Sequence, residues 1–533
     1  MKKTLYVLSM STLAFFLVSC GGASKNALYG MKIEGVGYET SSGSSGKTDK
    51  NGSFKFKEGD TVTFSLGKVK LLEVKAQNDM SLAALADLET IPQVLLSNEV
   101  NARDTGFNEK LRRAFNVAIL LASLDKDKDL SNGIEITEAT FEKFEKNNLY
   151  PLNFYHPNFV DQCRKVLYQL EMERPVIKPL KLIRTIIESG AMGEVVFYET
   201  AKIKYDGNAN GVVDEIITRS YDEFGNIQKE THDENANGVP ESITKHKSDI
   251  YGNGLLSQYD SNGDGVQDHI YSSEVDEDGY PILFETDNDG DGTFESREHI
   301  VRNAYGDPVR NEQDDGANGS IDDIETYTYD QNGNLIVRQR DSDADGVANS
   351  VTYYSYDDRG NVLTRLTLYT NPSEALLRTY TYDDDNNAVL IEDDDDANGV
   401  LDYVVRRKFN SLHQETESRF DNDGNGTYEQ ILTLTYNKNA NNNIATFGTD
   451  SNADGNVDDI TIYTYNADGF LEKYEEDLAM DDVIDYVSKS FYEGTKLIRE
   501  EIDEDADGSI DSISTYEYKE FENVFPFMSF QVA

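Results

Sequence analysis

Carboxylates and side-chain amides occupy alternate positions of a nine-residue phrase whose fullest copy is Asp287-Asn288-Asp289-Gly290-Asp291-Gly292-Thr293-Phe294-Glu295. The phrase begins at Asp206, Asp233, Asp260, Asp287, Asp314 and Asp341, each 27 residues after the last, and again at Asp394, Asp421, Asp450 and Asp503. A hard cation such as calcium takes about six to eight oxygens at about 2.3–2.6 Å, so a loop that binds it must turn several oxygens inward around a small sphere. Alternating oxygens at positions 1, 3 and 5 do this in an irregular turn. Gly at 6 permits the sharp reversal, a main-chain carbonyl serves at 7, and an acid at 9 closes the shell.

Nine copies satisfy that pattern. Their candidate metal ligands are Asp206, Asn208, Asn210 and Asp214; Asp233, Asn235, Asn237 and Glu241; Asp260, Asn262, Asp264 and Asp268; Asp287, Asp289, Asp291 and Glu295; Asp341, Asp343 and Asp345; Asp394, Asp396, Asn398 and Asp402; Asp421, Asp423, Asn425 and Glu429; Asp450, Asn452, Asp454 and Asp458; and Asp503, Asp505, Asp507 and Asp511. The copy at Asp314 is weakened by Gly316 at position 3. Turn preference alone explains an abundance of Asx and Gly, but not an acid at position 9 in eight of the nine copies, with Asn349 the exception. Multiple calcium ions are therefore the expected cofactor. Magnesium fits less well because it keeps its waters in a strict octahedron.

No catalytic constellation competes with this reading. The six His residues, at 156, 232, 246, 269, 299 and 413, are scattered without metal spacing, and no nucleophile elbow, phosphate loop or HExxH is present. The expectation is not an enzyme; a hydrolase using unidentified carboxylates is the alternative class, and no pair of acids is singled out for it.

The elements that must hold these loops follow the same period. Each unit reads as acidic loop, strand, tight turn, strand; one is Asp314–Asp322, Ile324–Tyr329, Asp330–Asn334, Leu335–Arg340. A strand pair joined by an Asp/Asn/Gly turn is a β-hairpin with Gly at the positive-φ position. Two more slots, near Leu368 and Asp477, keep the spacing without the phrase, which makes twelve units of about 27 residues and the signature of a repeat array. Tyr recurs two residues apart at Tyr327 and Tyr329, Tyr354 and Tyr356, Tyr380 and Tyr382, Tyr463 and Tyr465, and Tyr516 and Tyr518. Such pairs share one face of a strand and favour cross-strand packing over a binding stripe.

Charge assigns the acidity to the array. Residues 1–200 hold 25 Lys+Arg and 25 Asp+Glu, so the formal charge of -50 lies after residue 200. A field of that sign repels phosphate, which excludes nucleic acid as a partner and favours bound cations. Disorder, the ordinary reading of an acidic chain, is opposed by 25 of the 32 Tyr falling after residue 200 in register with Ile, Val and Leu.

The first residues read as an export signal: Lys2 and Lys3 precede an apolar run from Leu5 to Val18, too short to span a bilayer. Leu17-Val18-Ser19-Cys20 resembles a bacterial lipobox, and Gly21 after it resembles an outer-membrane destination. The resemblance implies residues 1–20 as a lipoprotein signal peptide, lipidation at Cys20, residues 21–27 as a tether, and membrane attachment through the N-terminal lipid at the cell envelope. Cys163 is then left alone, on a helical face with Phe159, Val166, Leu167 and Leu170, as a buried inert thiol.

Residues 28–78 alternate apolar and polar positions between turns and read as a small β domain; residues 79–194 read as a helical segment that covers the open edge of the first repeat. Gly37-Tyr38, Gly46–Asp49, Gly52–Phe54, Gly59–Phe64 and Leu120–Ile134 resemble the opening domain of bacterial surface lipoproteins. Asp125, Asp127 and Asp129 alternate like the first ligands of a calcium loop, but Leu130 stands at the Gly position. Residues 195–533 form the array. Its Tyr-Asp-x-x-Gly-Asn motif at Tyr221, Tyr329 and Tyr356 resembles the YD repeat of Rhs-type proteins, and its acidic loops resemble those of FG-GAP propellers and thrombospondin type 3 arrays.

The expected fold is mainly β: the small domain, the helical segment, then an antiparallel β-hairpin array forming a coiled or spiral sheet, with a β-propeller as the alternative. The expected role is a lipid-anchored envelope scaffold or adhesive surface for a protein or carbohydrate ligand; a propeller that binds a ligand is the alternative. Cys20→Ala should release the protein from the membrane fraction; a variant that stays membrane-bound overturns the anchor.

Overall fold

The computed structural model describes residue 28 and residues 31–522, apart from 78–79, 81, 87–105, 148, 156–158, 189–195, 250–251, 371–374, 438–442, 468 and 495. Cys20, the signal peptide and the tether lie outside the described residues.

From Val196 to Glu522, 24 strands follow in chain order, each antiparallel to the next, and the last, Ser512–Glu522, pairs with the first, Val196–Asp206. The array is a closed barrel, which corrects both the coiled or spiral sheet and the propeller. Most strands have seven or eight residues, as in Asp323–Tyr329 and Ala375–Tyr382, whereas the two closing strands have 11 each and match over the long register Ile513↔Asp206 to Glu522↔Val196. Closure removes both free edges, whose unpaired N–H and C=O groups would otherwise face water. At about 4.8 Å per strand the circumference is about 115 Å and the diameter, before strand tilt, about 37 Å.

Alternate connections lie at opposite rims. At one rim several turns, such as 222–226, 330–334 and 357–361, repeat Asp-x-x-Gly-Asn, while others such as 410–414 depart from it. In the turn 330–334, Asp330 Oδ1 accepts from the main-chain N–H of Asn332 (2.8 Å) and Asn334 (2.9 Å), Asn334 Nδ2 donates to Asp330 Oδ2 (2.9 Å), and Gly333 takes φ 77°. A register shift beside the turn, between Thr328 and Tyr329, marks the bulge that closes the hairpin.

Tyrosine stitches one hairpin to the next. Strands 323–329 and 335–341, joined by a turn, match over six residue pairs, while 308–315 and 323–329, joined by an acidic loop, match over four and part toward the turn rim. There the Tyr329 hydroxyl donates to the Pro308 carbonyl (2.9 Å). The same bond runs from Tyr356 to Leu335, Tyr382 to Val362, Tyr465 to Ile444 and Tyr518 to Leu497, and Arg302 Nε makes it to Pro281. The second Tyr of each pair thus fills a main-chain acceptor that the ladder leaves open.

Both faces of the strands carry charge. Arg338 pairs with Glu325 and Arg378 with Asp393, side by side with Tyr327 and Tyr380, while Lys245, Arg406 and Lys408 stand on the opposite face. No continuous apolar belt forms on such strands.

The small N-terminal sheet has the strand order Ser45–Lys47, Gly37–Thr40, Thr61–Leu66, Val69–Lys75. Alternation along Thr61–Leu66 buries Val62, Phe64 and Leu66. The helix Gly106–Ser123 buries every residue from Ala114 to Ser123, so it is enclosed on all sides. Its core is continuous with Phe159, Cys163, Tyr221 and Phe521. Cys163 is fully buried, and burial pushes its thiol up to about 12, which leaves it protonated and inert.

The helices do not cover an edge strand, because closure leaves none; they cover the turn rim. From the helix Phe159–Gln169, Arg164 pairs with Asp307, Tyr168 stacks on Tyr305 at 3.7 Å between ring centroids, and Lys165 Nζ donates to the Gly360 carbonyl (3.4 Å). Tyr280 donates its hydroxyl to the Val176 carbonyl (2.9 Å).

Burial pushes the Tyr329 and Tyr465 phenols up to about 12, against about 10 in an unfolded chain. A raised folded pKa holds the proton more tightly in the folded state, so this stability is complete below about pH 10 and lost as pH rises toward 12. Alkaline denaturation should set in between about pH 10 and 12 with tyrosinate absorbance rising in the same step; phenols that ionise near 10 before any loss of β signal contradict the buried stitches.

Candidate metal-binding rim

The acidic loops occupy the rim opposite the turns, and most are built on a buried first Asp. Asp287 is fully buried, Asp260 is 2 % and Asp421 3 % exposed, whereas Asp341 is only half-buried. A carboxylate so enclosed must be matched by donors or by a cation. Part of the match is main-chain: Asp206 Oδ1 and Oδ2 accept from the N–H groups of Asn210 (3.1 Å) and Gly211 (2.7 Å), and Asp394 does the same with Asn398 (2.9 Å) and Gly399 (2.7 Å). Asp260 Oδ1 and Asp503 Oδ1 are buried with no hydrogen-bond partner.

Position 9 closes the loop from the other side. Asp214 accepts from the Gly207 N–H (2.9 Å), Asp402 from Asp395 (2.7 Å), Glu429 from Asn422 (2.7 Å) and Asp511 from Glu504 (2.7 Å). Asn349 Oδ1 takes that place at Ser342, which explains how this loop tolerates an amide there. Position 5 caps the next turn, as Asn237 Oδ1 does for the Val239 N–H (2.8 Å).

Position 4 lies in the left-handed region throughout: Ala209, Ala236 and Ala344 at φ 50°, Ala397 at 52°, Ala506 at 51°, or Gly at 263, 290 and 424. Glycine is required where neighbouring loops touch. A Cβ on Gly290 would lie 1.7 Å from the Gln267 carbonyl oxygen of the preceding loop, and one on Gly424 would lie 1.9 Å from that of Leu401. Consecutive loops therefore pack against one another around the rim.

Five loops bring carboxylate oxygens to within 4.8 Å of one another: Asp287, Asp289, Asp291 and Glu295; Asp341, Asp343 and Asp345; Asp394, Asp396 and Asp402; Asp421, Asp423 and Glu429; Asp503, Asp505 and Asp511. Asp507 does not join its cluster's carboxylate set, and hydrogen bonds from the Ser509 N–H and side chain lower its pKa. Desolvation and the Asp345 and Asp341 carboxylates push the Asp343 acid upward, a direct mark of crowding. At Asp206 and Asp233 the partners at 3 and 5 are amides. At Asp260 and Asp450 three acids are present but do not converge to that distance; Ser261 draws Asp268 away and lowers its pKa.

The ion pairs of the array run along the strands, as at Arg340 with Asp323 and Lys204 with Glu517. Among the described residues none reaches a carboxylate of the five clusters. The arrangement suits a hard divalent cation with all-oxygen ligands, and the first-shell oxygens would come from positions 1, 3, 5 and 9.

Sequence reasoning passed over one loop. Asp477, Asp481 and Asp485 hold positions 1, 5 and 9 of the degenerate slot and keep its hydrogen bonds, Asp485 accepting from the Leu478 N–H (2.6 Å) and Asp477 from Asp481 (3.2 Å). The spacing 1, 5, 9 was the available signal. Ala479, Met480 and Asp482 all sit at positive φ there, so this turn is the most strained of the rim. The slot near Leu368 falls partly on residues 371–374, outside the described residues.

No protein-family model and no curated protein matches this chain. Among solved structures, a TcdB2-TccC3 crystal structure aligns at 14% identity over 59% of this chain and 24% of its own, with TM-score 0.19. The Photorhabdus luminescens Tc holotoxin pore aligns at 12% over 59% and 23%, TM-score 0.19. A porin-like protein from Bacteroides uniformis ATCC 8492 aligns at 10% over 42% and 95%, TM-score 0.20. The chain spans about a quarter of the two Tc structures, and at such TM-scores none of these alignments bears on function.

Two variants of one loop separate turn-making from ion-binding. Asp287 accepts from the N–H groups of Asp289 (3.3 Å), Gly290 (2.6 Å) and Gly292 (2.8 Å), so Asp287→Ala should destabilise by about 2–4 kcal/mol even in chelator. Asp289→Ala should be near neutral in chelator and destabilising in calcium. Denaturation midpoints of both in both buffers decide; equal losses for Asp289→Ala in the two buffers contradict an ion in this loop.

Proposed function

We propose that this chain is a calcium-loaded β-barrel scaffold of the cell envelope, anchored by lipid at Cys20 and presenting its rim or walls to a protein or carbohydrate partner. The observation that carries the calcium reading is the convergence of Asp287, Asp289, Asp291 and Glu295 oxygens within 4.8 Å in a loop no Lys or Arg neutralises. Two carboxylates about 4 Å apart repel by about 1 kcal/mol in water and about 4 at a partly buried site. Calcium reverses the sign. A site filled at about ten times its Kd adds about 1.4 kcal/mol, so a handful of sites matches the net stability of an ordinary domain.

Charge on both strand faces supports a barrel that stands in water rather than in lipid, and the hydrogen-bonded Tyr support walls that are structural before they are adhesive. The anchor rests on the Lys2–Cys20 sequence pattern alone.

Equilibrium dialysis of the full mature chain against calcium should find several ions per chain, with the five convergent clusters the minimum, and thermal melts should rise with calcium well beyond the rise in equal sodium chloride. Fewer than two ions, or a melt indifferent to chelator, overturns the calcium scaffold.

A further inference from the structure

Outside the barrel, one carboxylate is buried with one of its two oxygens unmatched. Asp125 follows the helix Gly106–Ser123 and is 1 % exposed. Its Oδ1 accepts from the Glu135 N–H (2.8 Å), while its Oδ2 is buried without a hydrogen-bond partner. The carboxyl group within hydrogen-bonding reach of it is another acid, Asp127. Two acceptors facing each other in a desolvated site need either a shared proton or a cation between them.

The rest of the loop is arranged for oxygen donation. Asp127 Oδ1 accepts from the Asp129 N–H (3.0 Å) and Oδ2 from Asn132 Nδ2 (3.0 Å), and Asp129 Oδ1 accepts from the Ser131 N–H (3.0 Å). Lys128 sits at φ 64°, and the two lysines of the loop are turned away, Lys126 to Glu135 and Lys128 to Asp278. Arg174 reaches the main-chain carbonyl of Asp125 rather than its carboxylate. Burial, with Asp127 opposite, pushes the Asp125 acid upward from the ordinary carboxylate value, so the charged form lacks a counter-charge.

We infer that the loop Asp125–Asn132 is a divalent-cation site of its own, independent of the barrel loops, anchored by Asp125 Oδ2 and Asp127. A cation there would hold the end of the central helix to the parallel two-stranded pairing of Ile134 with Ile33, which directly precedes the strand Gly37–Thr40 of the small β sheet. The 3-10 turn Leu130–Asn132 takes up the reversal at the place where Leu130 stands in the glycine position. Leu130 itself is buried in the core.

Hydrogen–deuterium exchange of the full chain tests this, read on peptides covering residues 124–136 in calcium chloride, in magnesium chloride and in chelator. Calcium should slow exchange there by about tenfold, the effect of a site filled at about ten times its Kd. In Asp125→Asn the response should vanish, and in chelator this variant should exchange more slowly than the wild type, because the amide can donate to Asp127. Barrel peptides should respond alike in both proteins. No calcium response at 124–136 in the wild type, or an equal response in Asp125→Asn, overturns the site in favour of a shared proton. Should the variant not fold, the wild-type arm decides alone. A response at 124–136 with silent barrel peptides sinks the calcium barrel and leaves this site standing; the reverse sinks only this site.

Discussion

A carboxylate removed from water must meet donors or a cation, and this chain buries one such group at the start of most of its acidic loops, among them those at Asp206, Asp260, Asp287 and Asp421. The main-chain N–H groups that Asp206, Asp233 or Asp394 gather define the loop's shape. In the five loops whose carboxylates converge, the same fold holds acids in mutual view, where they repel. Shape and repulsion there come from the same residues. The turn is formed at the expense of an electrostatic stress that a bound cation would relieve.

Closure makes the stress collective. In an open ribbon, crowded loops at one edge could splay apart. In a ring, Gly290 against Gln267 and Gly424 against Leu401 keep each loop against the one before. The closing pair, Val196–Asp206 with Ser512–Glu522, carries the longest register of the barrel. At the opposite rim the hydroxyls of Tyr329, Tyr356 and Tyr465 and the docked helix Phe159–Gln169 supply cohesion. One end of the barrel is thus held by hydrogen bonds and packing, and on the proposed reading the other would be held by cations.

Much of this was legible in the residues because it is local. The 27-residue step gave the hairpins, Asp-x-x-Gly-Asn gave the turns, and period two gave the shared face of each Tyr pair. Closure was not legible: it depends on the pairing of Ile513 with Asp206, more than 300 residues away, and no short-range pattern encodes such a pair. The only local trace was that the two terminal strands are longer than the rest. The seat of the helices was hidden for the same reason, since Arg164 and Tyr168 find Asp307 and Tyr305 only after the barrel exists. Of the candidate ligands, Asp287, Asp289, Asp291 and Glu295 come together, whereas Asp264, Asp454 and Asp507 join no such cluster. Spacing places a residue in a loop, but neighbours such as Ser261 decide where its carboxylate turns.

The central claim is that a closed barrel stays closed because cations balance its loop rim. Small-angle scattering of the full mature chain, titrated with chelator and then restored with calcium, addresses it directly. The expected result is a compact hollow particle in calcium, about 37 Å across the barrel wall before strand tilt, that expands on chelation and returns when calcium is added back. Identical curves in calcium and in chelator, with the barrel closed in both, would contradict the account.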